Sequence, residues 1–169
     1  MAHLDDLYRE IILDHYRTPR NRGELATPPA HRVEGFNPLC GDEVVVTLEV
    51  EDDRLADIKI AGAGCSISQS SASLMSAAVK GKDLDAVRRL IRTFKSMMSV
   101  HEATLGSDGA SGDGSGADGE GAEPEPVDLQ KLGELAALQG VVKFPVRIKC
   151  ATLSWNALSQ GLDEAAAAR

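Results

Sequence analysis

Apolar positions along the chain follow two different periods. Over residues 4–16, Leu4, Leu7, Ile11 and Ile12 recur at three- and four-residue spacing, the period of one helix face, and Pro19 closes the pattern. Residues 18–30 are rich in Thr, Pro, Arg, Asn and Gly and read as an extended arm. The period then changes to two. Val33–Phe36 predicts a short strand; in residues 43–50 Val44, Val46, Leu48 and Val50 face one way and Glu43, Thr47 and Glu49 the other. Glu51–Arg54 predicts a turn, and Leu55–Ala61 returns with Ile58 and Ile60 inward, completing a three-stranded antiparallel meander.

After the meander the helical period resumes. The small residues Ala61–Gly64 end the sheet, a helix starts at Ser66 or its neighbour and runs to about Lys80, and Gly81 supplies its stop. Asp83–His101 is a second amphipathic helix with Leu84, Val87, Leu90, Ile91, Phe94 and Met98 on one face. Leu129, Leu132, Leu135 and Leu138 mark a third, ended by Gly140; VVKFPVRIKC reads as extended; Ala151–Leu162 is the last helix, with fraying expected over 163–169. Residues 106–126 differ in kind: they hold seven glycines and six acidic residues, no Lys or Arg and no apolar period. Such a segment cannot offset its ordering entropy by burial, so it is expected to be a flexible acidic loop within a single domain spanning 1–169.

Composition narrows the function classes. At 43% apolar and 4% aromatic, the core must rest on aliphatic side chains. A net charge of −8 argues against a nucleic-acid binder. No run approaches the roughly 18 apolar residues of a membrane span, and MAHLDDLYRE lacks the basic and apolar regions of a secretory signal, so a cytoplasmic protein is expected.

Three cysteines make poor material for a disulfide framework, and metal or redox chemistry fits them better. Cys40 lies in NPLCGD before a strand, Cys65 in GAGCS and Cys150 in RIKCA, the last two at expected strand-to-helix junctions. A helix N-terminus favours an anion and lowers a thiol pKa; unperturbed, a thiol is only about 3% thiolate at pH 7. Asp42 follows Cys40 across Gly41, which lets the backbone turn sharply. Cys40, Asp42, Cys65 and Cys150 together make an S₃O set suited to Zn²⁺ or iron rather than Mg²⁺ or Ca²⁺, with Lys149 and Arg147 nearby to offset its charge. Spacing alone leaves the bland alternatives open: isolated cysteines are commonly small core hydrophobes, and Asp42 also suits a turn. His15, His31 and His101 are other fourth-ligand candidates, although His15 and His101 are expected to face solvent.

The segments LYREIILDHYRTPRNRG (7–23), NPLCGDEVVVTLEV (37–50), GAGCSISQSSASLM (62–75) and RIKCATLSWNAL (147–158) resemble the IscU-like family of iron–sulfur cluster assembly proteins, seen also as the N-terminal module of NifU. The long Cys65–Cys150 interval, and Lys149 where the scaffold branch has a histidine, place the chain nearer the SufU branch. The resemblance implies an α+β fold of the IscU-like/SufE-like kind: a small antiparallel three-stranded sheet packed against helices, with a metal site at one end. It implies iron–sulfur cluster assembly in a SUF system by a zinc-dependent sulfurtransferase that accepts persulfide sulfur from a PLP-dependent, SufS-like cysteine desulfurase, with downstream SUF scaffold components as further partners. Residue by residue, it makes Cys40 the sulfur acceptor, retains zinc on Asp42, Cys65 and Cys150, and places Arg147 near the metal. The other reading within the family is an assembly scaffold that holds iron or a [2Fe–2S] cluster on the same residues.

Overall fold

A computed structural model describes residues 2–38, 40–105 and 132–167, without the side chains of 2–5 and 99–105. Helix α1 (Ala2–Arg17) is followed by strands β1 (His31–Asn37), β2 (Asp42–Glu51) and β3 (Arg54–Ala63), helices α2 (Ser66–Val79) and α3 (Leu84–Leu105), a 3-10 helix (Gly133–Lys143) and α4 (Pro145–Ala167). The strands form one antiparallel sheet in the order β1-β2-β3. Asp52 and Asp53, both at positive φ (51° and 58°), make the tight β2–β3 connection, a conformation that matches the right-handed strand twist. The three-stranded α+β architecture is thus the one expected.

The inward positions of the sheet, Val33, Val44, Val46, Leu48, Leu55, Ile58 and Ile60, join Leu74, Met75, Phe94, Met98, Leu138, Trp155 and Leu158 in one buried cluster. That cluster draws on chain from both sides of residues 106–131. Trp155 stacks on Phe94 with ring centroids 4.2 Å apart and donates its indole N–H to Ser71 Oγ at 3.1 Å, satisfying its one polar atom in the core. Helix α4 lies close across β1 and β2. A Cβ on Gly161 would sit 2.7 Å from Leu48 and 3.0 Å from Val33, so glycine sets this approach.

Four expectations need correction. Thr47, placed on the outer polar face, is only 1% exposed. The arm covers it: Leu25 N–H donates to Thr47 Oγ1 (2.9 Å) and Gly23 N–H to Ile60 O (2.9 Å). VVKFPVRIKC is not extended: its Val141–Lys143 stretch closes the 3-10 helix and α4 begins at Pro145, where a missing N–H leaves nothing unsatisfied and φ is already helical. Leu132 is α-helical, but from Gly133, at φ +56°, the leucine-rich segment continues as a 3-10 helix rather than an α-helix and runs through Gly140. Its Leu129 end, and the acidic 106–126 segment, lie outside the described residues. Residues 163–167 continue α4 rather than fraying, held by Arg88–Asp163 (2.9 Å) and His31–Glu164 (2.6 Å) ion pairs.

Candidate metal and thiol centre

The β1–β2 hairpin delivers the first two groups. Asn37 and Asp42 are its last cross-strand pair. The turn between them carries Cys40, with Gly41 N–H donating to Asn37 O at 2.8 Å and Gly41 in the left-handed region at φ +69°. Strand alternation sends Asp42 to the same face as Val44 and Val46, where it is fully buried. Cys40 stays exposed.

Cys65 is the N-cap residue of α2. Its backbone is extended (φ −70°, ψ 167°), and its sulfur accepts the Ser68 N–H at 3.5 Å. The Asp42 carboxylate ties this junction to the sheet: Oδ1 accepts the Cys65 N–H at 2.8 Å and Oδ2 lies 3.7 Å from Cys65 Sγ. Gly64 makes room for it, since a Cβ there would stand 2.5 Å from Asp42 Oδ1 and 2.6 Å from Ser68 Oγ.

Cys150 arrives from α4, fully buried. It lies in the second turn of the helix, not at the helix N-terminus as expected, because α4 starts earlier at Pro145. Its Sγ is 3.3 Å from Cys40 Sγ, and it also meets Asn37 Nδ2 at 3.8 Å and Val146 O at 3.9 Å. Burial, then hydrogen bonding to Asp42 and Cys40, pushes the Cys150 thiol far above its ordinary pKa. Without a cation this sulfur is a neutral thiol.

Cys40, Asp42 and Cys150 offer ligand atoms all within 4.8 Å of one another. Cys65 stands just outside that triple, linked to it through Asp42. Tetrahedral Zn²⁺ with bonds of about 2.3 Å to sulfur and about 2.0 Å to oxygen would set S···S near roughly 3.7 Å and S···O near roughly 3.5 Å. The Cys40–Cys150 and Asp42–Cys65 separations of 3.3 and 3.7 Å differ from those values by a few tenths of an ångström, and the soft thiolate donors suit such a metal. The donor set fits.

Other candidates fall elsewhere. Arg147 is exposed on the first turn of α4, three residues before Cys150, and Lys149 is exposed too. His15, expected to face solvent, is instead 2% exposed. It spans Ser73 Oγ (2.8 Å) and Glu134 Oε2 (3.1 Å), joining α1, α2 and the 3-10 helix. His31 is taken by Glu164, and the His101 side chain lies outside the described residues. Sequence reasoning missed Asn37 and Gly64. The only signal for each was nearness to a cysteine, three residues for Asn37 and one for Gly64, and nothing local says that an Asn side chain will meet a sulfur 113 positions away.

The family model of the NifU-like N-terminal domain matches residues 7–111. The zinc-dependent sulfurtransferase SufU of Bacillus subtilis (strain 168) is 42% identical over 161 residues, covering 95% of this chain and 92% of the relative. The iron–sulfur cluster assembly scaffold protein IscU of Streptococcus pyogenes serotype M1 is 34% identical over 169 residues, covering 100% and 91%. Among solved structures, a protein described as hypothetical superposes with a TM-score of 0.72 at 33% identity, covering 94% of this chain and 98% of the other. A candidate scaffold protein for the SUF system from Fervidobacterium islandicum AW-1 gives a TM-score of 0.69 at 25% identity, covering 90% and 94%.

Proposed function

The chain belongs to the NifU-like N-terminal domain family of iron–sulfur cluster assembly proteins, and on that footing we propose that it is a zinc-dependent sulfurtransferase taking persulfide sulfur from a cysteine desulfurase. One observation carries the reading: of three clustered thiols, one is exposed and the others are held back. Cys40, Asp42, Cys65 and Cys150 are the proposed ligands. When bound, Zn²⁺ would keep the thiols deprotonated at neutral pH while having no redox chemistry of its own.

The remaining steps belong to the chain. Cys40, on a hairpin turn with open space around Gly41, is the sulfur a partner's active site can reach. Its thiolate attacks the terminal sulfur of the desulfurase persulfide; that S–S bond breaks, the desulfurase cysteine leaves as thiolate, and Cys40 carries the transferred sulfur. Cys65, fixed by its helix cap and by Asp42, and Cys150, inside α4, hold the site together while Cys40 reacts. Arg147, exposed beside this end of α4, is proposed to steer the anionic persulfide.

The proposed setting is a single domain in the cytoplasm, with a PLP-dependent desulfurase of the SufS type upstream and SUF scaffold components downstream. No helix among the described residues is long and apolar enough to cross a membrane. The similarity to an IscU scaffold over the whole chain supports a second reading, in which the same four residues carry an iron–sulfur cluster as cargo. Lys149, in place of a histidine, favours the first.

The deciding experiment pairs purified protein with a cysteine desulfurase and L-cysteine. Stimulated turnover and an adduct of about 32 Da on Cys40, removed by reduction, are expected, and Cys40→Ser should lose both while retaining the fold. A fully active Cys40→Ser variant refutes the acceptor assignment. Protein purified without added metal that holds iron and sulfide instead of zinc supports the scaffold reading.

A further inference from the structure

The acceptor thiol does not stand alone. Cys150 Sγ lies 3.3 Å from Cys40 Sγ, on the buried side of it, while Cys40 itself is open to solvent. Cys65 is differently placed: its sulfur is occupied by the Ser68 N–H and by Asp42 Oδ2, and it falls outside the close triple. Cys150 is thus the thiol in contact with the reactive sulfur.

Displacement at a divalent sulfur proceeds with the attacking and leaving atoms on opposite sides. If Cys40 carries a persulfide whose terminal sulfur lies on its exposed side, the buried Cys150 Sγ, 3.3 Å from Cys40 Sγ, is the sulfur available to attack from the other side. Closing from 3.3 Å to a disulfide bond of about 2.05 Å requires a movement of roughly 1.2 Å. Beside Cys40, nothing lies within 4 Å of where a Cβ on Gly41 would stand, so no packing at that residue opposes the shift.

We propose that Cys150 is a resolving cysteine, which discharges a persulfide carried on Cys40 as hydrosulfide and gives the chain a sulfide-releasing activity beyond sulfur acceptance. The inference rests on the acceptor role of Cys40. In the step, Cys150, as the thiolate that a bound cation would maintain, attacks Cys40 Sγ, a Cys40–Cys150 bond forms, and the bond between Cys40 Sγ and the terminal sulfur breaks. The leaving group is hydrosulfide: the terminal sulfur of the anionic persulfide takes up one proton from solvent, to which Cys40 is open, as the bond breaks. The terminal sulfur gains two electrons, and the two cysteines lose two in becoming a disulfide, so no outside oxidant or reductant takes part. Each chain releases one sulfide and then stops until its disulfide is reduced. Because the disulfide removes two of the proposed ligands, any bound zinc should be released in step.

The test starts from metal-loaded protein charged by a cysteine desulfurase and L-cysteine, desalted and left without reductant. In the wild type the adduct on Cys40 should decay with equal yields of hydrosulfide, captured with a bimane reagent, and of a Cys40–Cys150 disulfide mapped by peptide mass. A chromophoric chelator should register zinc at the same rate. In Cys150→Ser the adduct should persist and no sulfide should appear. Persistence of the adduct in the wild type, sulfide without disulfide, or a Cys40–Cys65 linkage would each overturn the proposal. Those readouts come from the wild type and do not depend on the folding of the variant. Absence of any adduct on Cys40 would instead refute the acceptor role on which the proposal stands.

Discussion

Replacing Gly64 by alanine tests whether Asp42 is locked in place by its neighbours. The new Cβ would lie 2.5 Å from Asp42 Oδ1, 3.0 Å from Asp42 Cγ and 2.6 Å from Ser68 Oγ. The serine hydroxyl can rotate away. The carboxylate cannot, because Asp42 is fully buried and its Oδ1 already accepts the Cys65 N–H at 2.8 Å. Losing a hydrogen bond to a charged group costs about 1.5–3 kcal/mol, and overpacking adds about 1–3 kcal/mol. Part of this relaxes, because Gly64 is itself exposed at the β3–α2 junction. A net loss of about 3 kcal/mol is expected, which for a chain of this size lowers Tm by roughly 6–12 °C. Gly41→Ala is the control. Its φ of +69° strains alanine, but nothing lies within 4 Å of the new Cβ, so only the backbone cost of about 1–2 kcal/mol applies. Thermal melts by circular dichroism, with zinc content of each variant, make the comparison. Gly64→Ala should fall further than Gly41→Ala and lose metal. A Gly64→Ala protein melting within about 2 °C of wild type with full zinc would show that the Gly64–Asp42–Cys65 arrangement does not define the site.

Two further outcomes are expected. Asn37→Ala keeps the backbone carbonyl that holds Gly41 but removes the Nδ2 donor 3.8 Å from Cys150 Sγ; zinc affinity, measured by chelator competition, should fall about tenfold with little change in metal-free melting, and unchanged affinity would count against the contact. Asp14 accepts a hydrogen bond from Arg20 at 2.6 Å, which holds its carboxyl below the ordinary range. A depressed folded value stabilises above the unfolded one and is lost as pH falls through the folded one, below about pH 4. Asp14→Asn should therefore melt lower than wild type at neutral pH, with the gap narrowing as pH falls below about 4; a gap that does not narrow in acid would point to another cause.

How much of this was written in the sequence differs from element to element. Alternation in EVVVTLEV and the helical period of Asp83–His101 specified β2 and α3 because one side of each must meet an apolar core, and that demand is local. The N-cap position of Cys65 was legible for a similar reason: the small residues Ala61–Gly64 could not continue the strand, and a helix had to begin beyond them. The three thiols and Asp42 could be named as one donor set from their types and neighbours.

Tertiary structure decided the rest. Pro145 is compatible with an extended segment or with a helix start; packing of α4 against β1, β2 and α2 selects the helix, which moves Cys150 from a helix end into a buried second turn. His15 sits on an amphipathic helix at a position that reads as solvent-facing, yet Ser73 and Glu134, 58 and 119 residues away, bury and pair it. Thr47 alternates as a polar outward residue, and only the returning arm covers it. The same holds for the Cys40–Cys150 contact, made across 110 residues. Periodicity encodes which face of an element seeks burial, whereas what meets that face is fixed by the packing of segments far apart in the chain.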